Sequence, residues 1–291
     1  VLWRLIKGAA ARFIADDCTA LAAAIAYYAV FSLPGVLVVI VRLVGFWLGD
    51  LRVQERIMSL LATRIGEQAA DLLAELVGRG AGEMWKFNVA AVIAASTLVF
   101  SATTAFAQVQ AALNRVWRVE ADEQSSAVMG FLIRRAVSFV MILGGGLLLV
   151  LSMTARAALS AVQQFVGGGV LSSTGVLVAE VVVSLAVTAL LFAGIYRAVP
   201  DATVLWRDAL AGGAFTAVLF TLGNRAVGVY FHYVPVGGVY GPAGSLALLL
   251  FWFYFVAALL LFGAQFTQGY ARFRGRMIGR REGSPPPPWS A

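Results

Sequence analysis

The 291-residue sequence holds a single cysteine, Cys18, and a single histidine, His232. A lone thiol excludes an intramolecular disulfide, a paired-cysteine redox motif and a thiolate metal cluster. A lone imidazole cannot build a histidine-based metal site. Charge is scarce too, at 13% of residues against 60% hydrophobic. No Gly-rich P-loop is present to cradle a nucleotide phosphate. No Ser/His, paired-Asp or His-rich constellation points to catalysis, so neither an enzyme nor a cofactor nor a metal is expected.

What the sequence does have is long apolar runs, and a mean hydropathy of +0.85. The stretches 87–107, 136–155 and 243–266 carry no charge, and 19–49 carries only Arg42. A fifth run, 176–199, holds Glu180 and Arg197, and a sixth, 209–231, holds Asn224 and Arg225. A bilayer core needs about 20 apolar residues per helix, and all six runs meet that length. The expected fold is all-α: a polytopic membrane protein with six transmembrane helices. One integral domain is expected over 1–274, followed by a flexible, basic, Pro-rich tail over 275–291 that has Pro285–Pro288 in a row and lacks the apolar residues for a core. The first run is too long for a cleavable signal peptide and five more follow it. Since the sequence starts at Val1, a natural N-terminus upstream is expected.

Between the first two runs, 51–82 is amphipathic. Val53, Ile57, Leu60, Leu61, Ile65, Leu72, Leu73 and Leu76 recur at three- and four-residue steps, with Arg52, Arg56, Arg64, Glu67, Asp71 and Glu75 between them. One or two helices on the outer surface would bury that stripe, as a cap over the bundle or as a substrate lid. Leu2–Ile14 has a similar mixture and reads as an interfacial helix.

Orientation follows Lys and Arg in short loops. The N-terminal tail, the second and fourth connections and the C-terminal tail hold 14 of the 22 basic residues, and the opposite side holds seven. Both termini are therefore expected in the cytoplasm. This placement accounts for the net charge of +7 without nucleic acid.

Polar groups at membrane depth seldom face lipid. Thr97, Ser101, Thr104 and Gln108 are spaced 4, 3 and 4 apart, on one helical face. They either pack helices closely or line a polar pathway. Arg42, Arg156 and Arg225 fall toward the outer boundary when helical rise is counted from the cytoplasmic ends, with Glu180 nearby in depth. Together they could bind an anionic headgroup through bidentate bonds, or each could snorkel separately. Pro34 is expected to kink the first span. Ala20, Ala22, Ala23, Ala24 and Ala26 offer a small-residue packing surface upstream of it. The stretch from His232 to Pro242, dense in Gly and Pro, is expected to be an outer loop or re-entrant element, with Gly241, Pro242 and Gly244 as hinges.

Several of these stretches resemble the YihY/BrkB family of bacterial inner-membrane proteins. The matching segments are Ala22–Tyr28 through Phe31–Pro34, Leu113–Trp117, Tyr196–Pro200 with Trp206–Ala209, and Val239–Ser245 running into Phe251–Tyr254 and Leu261–Gln265. The resemblance implies a six-helix protein of the bacterial cytoplasmic (inner) membrane. It also carries an old ribonuclease label, which the sequence does not support, because a metal-dependent nuclease needs clustered acids or histidines. Relatives often have an acid where this chain has Gln265, so proton or cation movement through that acid would be altered here.

The leading expectation is a transporter or flippase-like protein for a polar or amphipathic, anionic solute or lipid. Energy would come from a gradient or a partner. The alternative is a non-transporting envelope scaffold that binds lipids or partner proteins through the amphipathic segment and the basic tail. The expected partners are the lipid bilayer and an anionic lipid, with homo-oligomerisation left open.

Overall fold

The computed structural model describes residues 2–48, 74, 104–119, 173–233, 236–276 and 278–280. The expected spans at 87–107 (for the most part) and 136–155, and the amphipathic segment 51–82 apart from Ala74, lie outside the described residues, as do Pro285–Pro288. Among the described residues the chain is helical apart from short turns and two two-residue strands. Helix α1 is Leu2–Ala15 and α2 is Cys18–Leu48. Helical residues 104–117 form α3. Then come α4 (Ser173–Ala198), α5 (Trp206–Tyr233) and α6 (Val236–Phe273). Strands β1 (Ala202–Thr203) and β2 (Gly279–Arg280) pair antiparallel, Ala202 opposite Arg280 and Thr203 opposite Gly279.

Three helices, α4, α5 and α6, are long and apolar enough to cross a membrane. The pair formed by α1 and the first part of α2 qualifies as a fourth, bent by 71° at its break. Three of the six apolar runs, 176–199, 209–231 and 243–266, thus fall on helices of membrane-crossing length, and the described residues do not contain six such helices.

Contacts divide the chain into two compact units. The first comprises Val1–Cys18, Gln110–Asn224 and Leu259–Ala291, and the second Thr19–Val109 and Arg225–Ala258. The core of the first unit is aromatic. Phe13 of α1 meets Phe262 of α6 edge-on, and Phe215 of α5 stacks on Phe266 with ring centroids 3.9 Å apart. Trp117 of α3 meets Tyr196 of α4, which neighbours Phe192, and Phe192 reaches Phe220 of α5. Such pairs add roughly 0.5–1.5 kcal/mol each beyond the area they bury.

Small residues let these helices approach backbone to backbone. A Cβ on Gly213 would lie 2.8 Å from the Ala193 amide nitrogen of α4. A Cβ on Gly212 would overlap Thr267, and one on Gly263 would overlap Thr216 and Tyr196. The pairings 212 with 267 and 216 with 263 run in opposite directions along the two helices, so α5 and α6 are antiparallel.

Helix ends in this unit are closed by local chemistry. At α6, the Gly275 amide donates to the Arg272 carbonyl and the Arg276 amide to the Ala271 carbonyl, with Gly275 at φ 70°. This is the double bond of a Schellman cap with glycine at its left-handed position. The same pattern ends α3, Arg118 to Arg115 and Val119 to Asn114, but the left-handed residue is Arg118 at φ 56°. A side chain there costs about 1–2 kcal/mol. Helix α4 stops at Ala198, where Pro200 biases Val199 away from helix.

In the second unit, α2 buries Ala22, Ile25, Ala26 and Val30, while Tyr27 and Phe31 are exposed and in ring contact with each other. Of the expected alanine surface, Ala22 and Ala26 are buried, whereas Ala20 and Ala23 are exposed. The packing face is therefore a single i, i+4 stripe. The Ser32 hydroxyl donates to the Ala29 carbonyl, and α2 runs through Pro34 as one helix.

Two expectations are corrected. The Gly/Pro-rich stretch is not an irregular element: α5 continues to Tyr233 and α6 starts at Val236, with Gly241, Pro242 and Gly244 inside it. Pro242 lies in the second turn of α6, where its missing amide removes only the bond to Gly238. The tail is not free from residue 275 either. Arg276 forms an ion pair with Asp208 at the start of α5, and β2 pairs with β1.

Candidate functional site

The first unit gathers three polar clusters. The most connected lies where α1 turns into α2. Helix α1 closes with Asp16 donating its amide to the Arg12 carbonyl and Asp17 to the Ile14 carbonyl. Asp17 takes the left-handed conformation, φ 50°, which aspartate tolerates better than most residues. Arg12 and Asp16 are one turn apart and share a face. Into this elbow projects Gln265 of α6, which is fully buried.

Arg12 donates from Nε to Gln265 Oε1 at 3.2 Å and from Nη2 to the Gln265 backbone carbonyl at 3.0 Å. Gln265 Nε2 donates to Asp16 Oδ2 at 2.7 Å and lies 3.8 Å from Cys18 Sγ. A carboxamide accepts at one end and donates at the other. It is therefore matched to a site flanked by a cation and an anion, and those neighbours fix which way it points. Helix α3 joins through Arg115, 3.9 Å from Asp17, and its capping residue Arg118 lies 3.8 Å from Asp16. Both arginines are largely exposed, so each pair contributes about 0–1 kcal/mol at most. Trp117 Nε1 donates to the Ala264 carbonyl at 3.1 Å, beside Gln265. Arg12 is half-buried, with Arg272 and Asp16 among its charged neighbours. An arginine remains charged throughout.

The second cluster joins α3 to the connection between α4 and α5. Gln110 Nε2 lies 3.1 and 3.2 Å from the two carboxylate oxygens of Asp201, and Asn114 Nδ2 donates to Oδ2 at 2.8 Å. The Asp201 amide returns a bond to Asn114 Oδ1 at 2.9 Å. Two amides one helical turn apart thus hold a half-buried carboxylate with no arginine in contact with it among the described residues. Nearby, Arg197 donates to the Val204 carbonyl and lies over the Trp206 ring at 5.0 Å.

The third cluster is the buried seam of α4, α5 and α6. The Tyr196 hydroxyl donates to the Leu260 carbonyl at 2.8 Å and lies 2.8 Å from Thr216 Oγ1, which bonds the Gly212 carbonyl. Thr267 Oγ1 donates to the Gly263 carbonyl at 2.7 Å. These hydroxyls satisfy themselves in place and leave no polar atom directed toward a ligand.

Among the residues proposed from sequence, Gln265 is brought into contact with charged groups. Thr104 and Gln108 are half-buried on α3, and Thr97 and Ser101 lie outside the described residues. Asn224 is half-buried and Arg225 exposed on α5. Arg42 falls on α2 and Glu180 on α4, but their side chains, like those of Pro34 and Pro242, lie outside the described set, as does Arg156. Gly241 lies on α6, and Gly244 is buried there. Sequence reasoning missed Arg12, Asp16, Gln110, Asn114 and Asp201 as site residues. The i, i+4 spacings of Arg12 with Asp16 and of Gln110 with Asn114 were the available signal. Among the described residues, no group of three or more His, Cys, Asp or Glu could hold a metal ion.

The family described as "Virulence factor BrkB" matches residues 9–285. The chain belongs to this family. Among BrkB-family relatives, the UPF0761 membrane protein of Alkalilimnicola ehrlichii is 28% identical over 274 residues, covering 91% of this chain and 57% of its own. That of Xanthomonas oryzae pv. oryzae is 28% identical over 277 residues, covering 94% and 60%. A UPF0761 membrane protein of Pseudoalteromonas translucida is 24% identical over 257 residues, covering 88% and 82%. The BrkB-family chain therefore spans less than two thirds of the first two relatives. No solved structure matches it. Together with its apolar helices, these relatives make it a membrane protein.

Proposed function

We propose that this BrkB-family protein is a six-span inner-membrane transporter or flippase-like protein, with both termini in the cytoplasm and no enzymatic activity. Its substrate class is a polar or amphipathic, anionic solute or lipid. The observation that carries this reading is the elbow: Arg12, Gln265 and Asp16 form a charged, hydrogen-bonded network beside membrane-length helices. Ionisable groups are expensive at such positions and commonly mark a substrate path or its closure. Gln265 ties α6 to the turn between α1 and α2, so a change in that tie would move helices relative to one another within the first unit. The elbow then acts as a latch on the basic, cytoplasmic side of the bundle.

The test is reconstitution into liposomes carrying a fluorescent phospholipid, with loss of inner-leaflet protection from a membrane-impermeant quencher as the signal. The parent protein accelerates that loss over empty liposomes, and Gln265→Leu changes the rate. If the parent matches empty liposomes for lipid and for small anionic solutes, the transport reading fails. The scaffold reading is then favoured, and the tethered tail and its Arg276–Asp208 pair are the observations that support it.

A further inference from the structure

An apolar groove of about 390 Å³ opens on the first unit, lined by Leu2 and Leu5 of α1, Ala211 and Phe215 of α5, and Phe266 and Tyr270 of α6. Its size falls within the roughly 300–1,000 Å³ typical of small-molecule sites. The lining presents almost no polar surface, so a soluble polar ligand would gain little from entering it. The charges lie at one end. Ala211 and Phe215 are one turn apart, and one turn before Ala211 stands Arg207, on the same face of α5. Phe266 and Tyr270 are likewise one turn apart on α6, and the next position in that series is Arg274, whose guanidinium lies 5.5 Å over the Tyr270 ring.

Because α5 and α6 are antiparallel, the start of one and the end of the other lie at the same end of the groove. Both arginines are exposed, and Arg207 makes no ion pair among the described residues. Their chain neighbours Trp206 and Phe273 are exposed, as is Trp3 next to Leu2, and Lys7 lies over Trp3 at 5.1 Å. Aromatic and basic side chains mixed in this way are typical of the level where a bilayer meets water.

We propose that this groove holds an acyl chain of an anionic glycerophospholipid, with Arg207 and Arg274 binding its phosphate. The apolar walls of α1, α5 and α6 receive the chain, and the two guanidinium groups, free to donate bidentate bonds, select the negative headgroup. The site uses none of the residues of the elbow. It stands whether the protein transports or scaffolds.

The experiment uses the full chain, delipidated in detergent and offered equal amounts of palmitoyl-oleoyl phosphatidylglycerol and phosphatidylcholine, with bound lipid counted by native mass spectrometry. The parent retains more phosphatidylglycerol, by roughly 5-fold for each arginine engaged. The Arg207→Gln/Arg274→Gln double variant loses that preference while still binding lipid. Ala211→Trp fills the groove and lowers retention of both lipids. Should that variant fold poorly, Leu2→Gln replaces it, since Leu2 is 58% exposed and tolerates change. Three results overturn the proposal: unchanged headgroup preference in the double variant, unchanged retention in a folded groove variant, or a parent dimer that Ala211→Trp dissociates. The last would make the groove a contact between copies of the chain.

Discussion

At the elbow, α6 is held by charge: Gln265 sits between Arg12 and Asp16, with Arg118 reaching in from the cap of α3. Two residues earlier on the same helix, Gly263 meets Thr216 and Tyr196 at a seam held by close fit and by uncharged hydroxyls. The seam has no slack and no ionisable group that changes charge near neutral pH. The elbow has long side chains, partial exposure and both signs of charge. A helix fixed rigidly at one point and by adjustable polar bonds at the next can be altered at the second without repacking the first.

The largest effect should come from breaking the seam. Gly263→Val places side-chain atoms where Thr216 and Tyr196 already stand. Overpacking of this kind costs about 1–3 kcal/mol and more where backbone cannot yield. The expected outcome is loss of monodisperse protein on gel filtration.

Next in size is the elbow. Gln265→Leu leaves the Arg12 Nε and the Asp16 carboxylate without their shared amide, at about 1–3 kcal/mol. A lower melting temperature by tryptophan fluorescence checks it. Gln265→Glu sharpens the contrast. It keeps an acceptor for Arg12 but replaces the donor to Asp16, 2.7 Å away, with a second carboxylate. Two carboxylates at that distance repel each other, so the variant's melting temperature at neutral pH should fall below the parent's. An unchanged melting temperature would refute the elbow's electrostatics.

Tyr196→Phe removes one hydroxyl from the seam but keeps its shape. Thr216 retains its bond to Gly212, so the expected loss is about 1 kcal/mol. It should be insensitive to pH and to salt, whereas the elbow's exposed pairs should weaken with salt.

The smallest effect belongs to Arg118→Gly. It relieves the left-handed backbone cost of about 1–2 kcal/mol and gives up a surface ion pair worth about 0–1 kcal/mol. A slight gain in melting temperature is expected, and a clear loss would show that Arg118 does more at the elbow than its distance suggests.

The long apolar runs at 176–199, 209–231 and 243–266 made α4, α5 and α6 legible, because bilayer thickness and helical rise set a length that few soluble segments reach. The start of α6 was not legible. Gly and Pro at 237–244 signal a loop locally, and near a helix start that propensity is outweighed. Gln265 was singled out through the family resemblance, as an amide where relatives often have an acid. Its partners were not, since Arg12 and Asp16 lie about 250 positions away and read locally as an amphipathic tail. Asp201 was equally hidden. It precedes a helix in a short connection, and the amides that hold it are 87 and 91 positions upstream.

Asp208, only 2% exposed in the first turn of α5, depends on Arg276 for its counter-charge, and Gly275 sets the turn that delivers that arginine. A protease cutting between Arg274 and Arg276 would leave every helix whole yet strand a buried carboxylate at the base of α5. Limited digestion from this end should therefore show a sharp drop in heat resistance at that one bond, rather than a gradual decline. A purification tag or fluorescent fusion is best joined beyond Arg281, where it leaves the pair and the strand contact undisturbed.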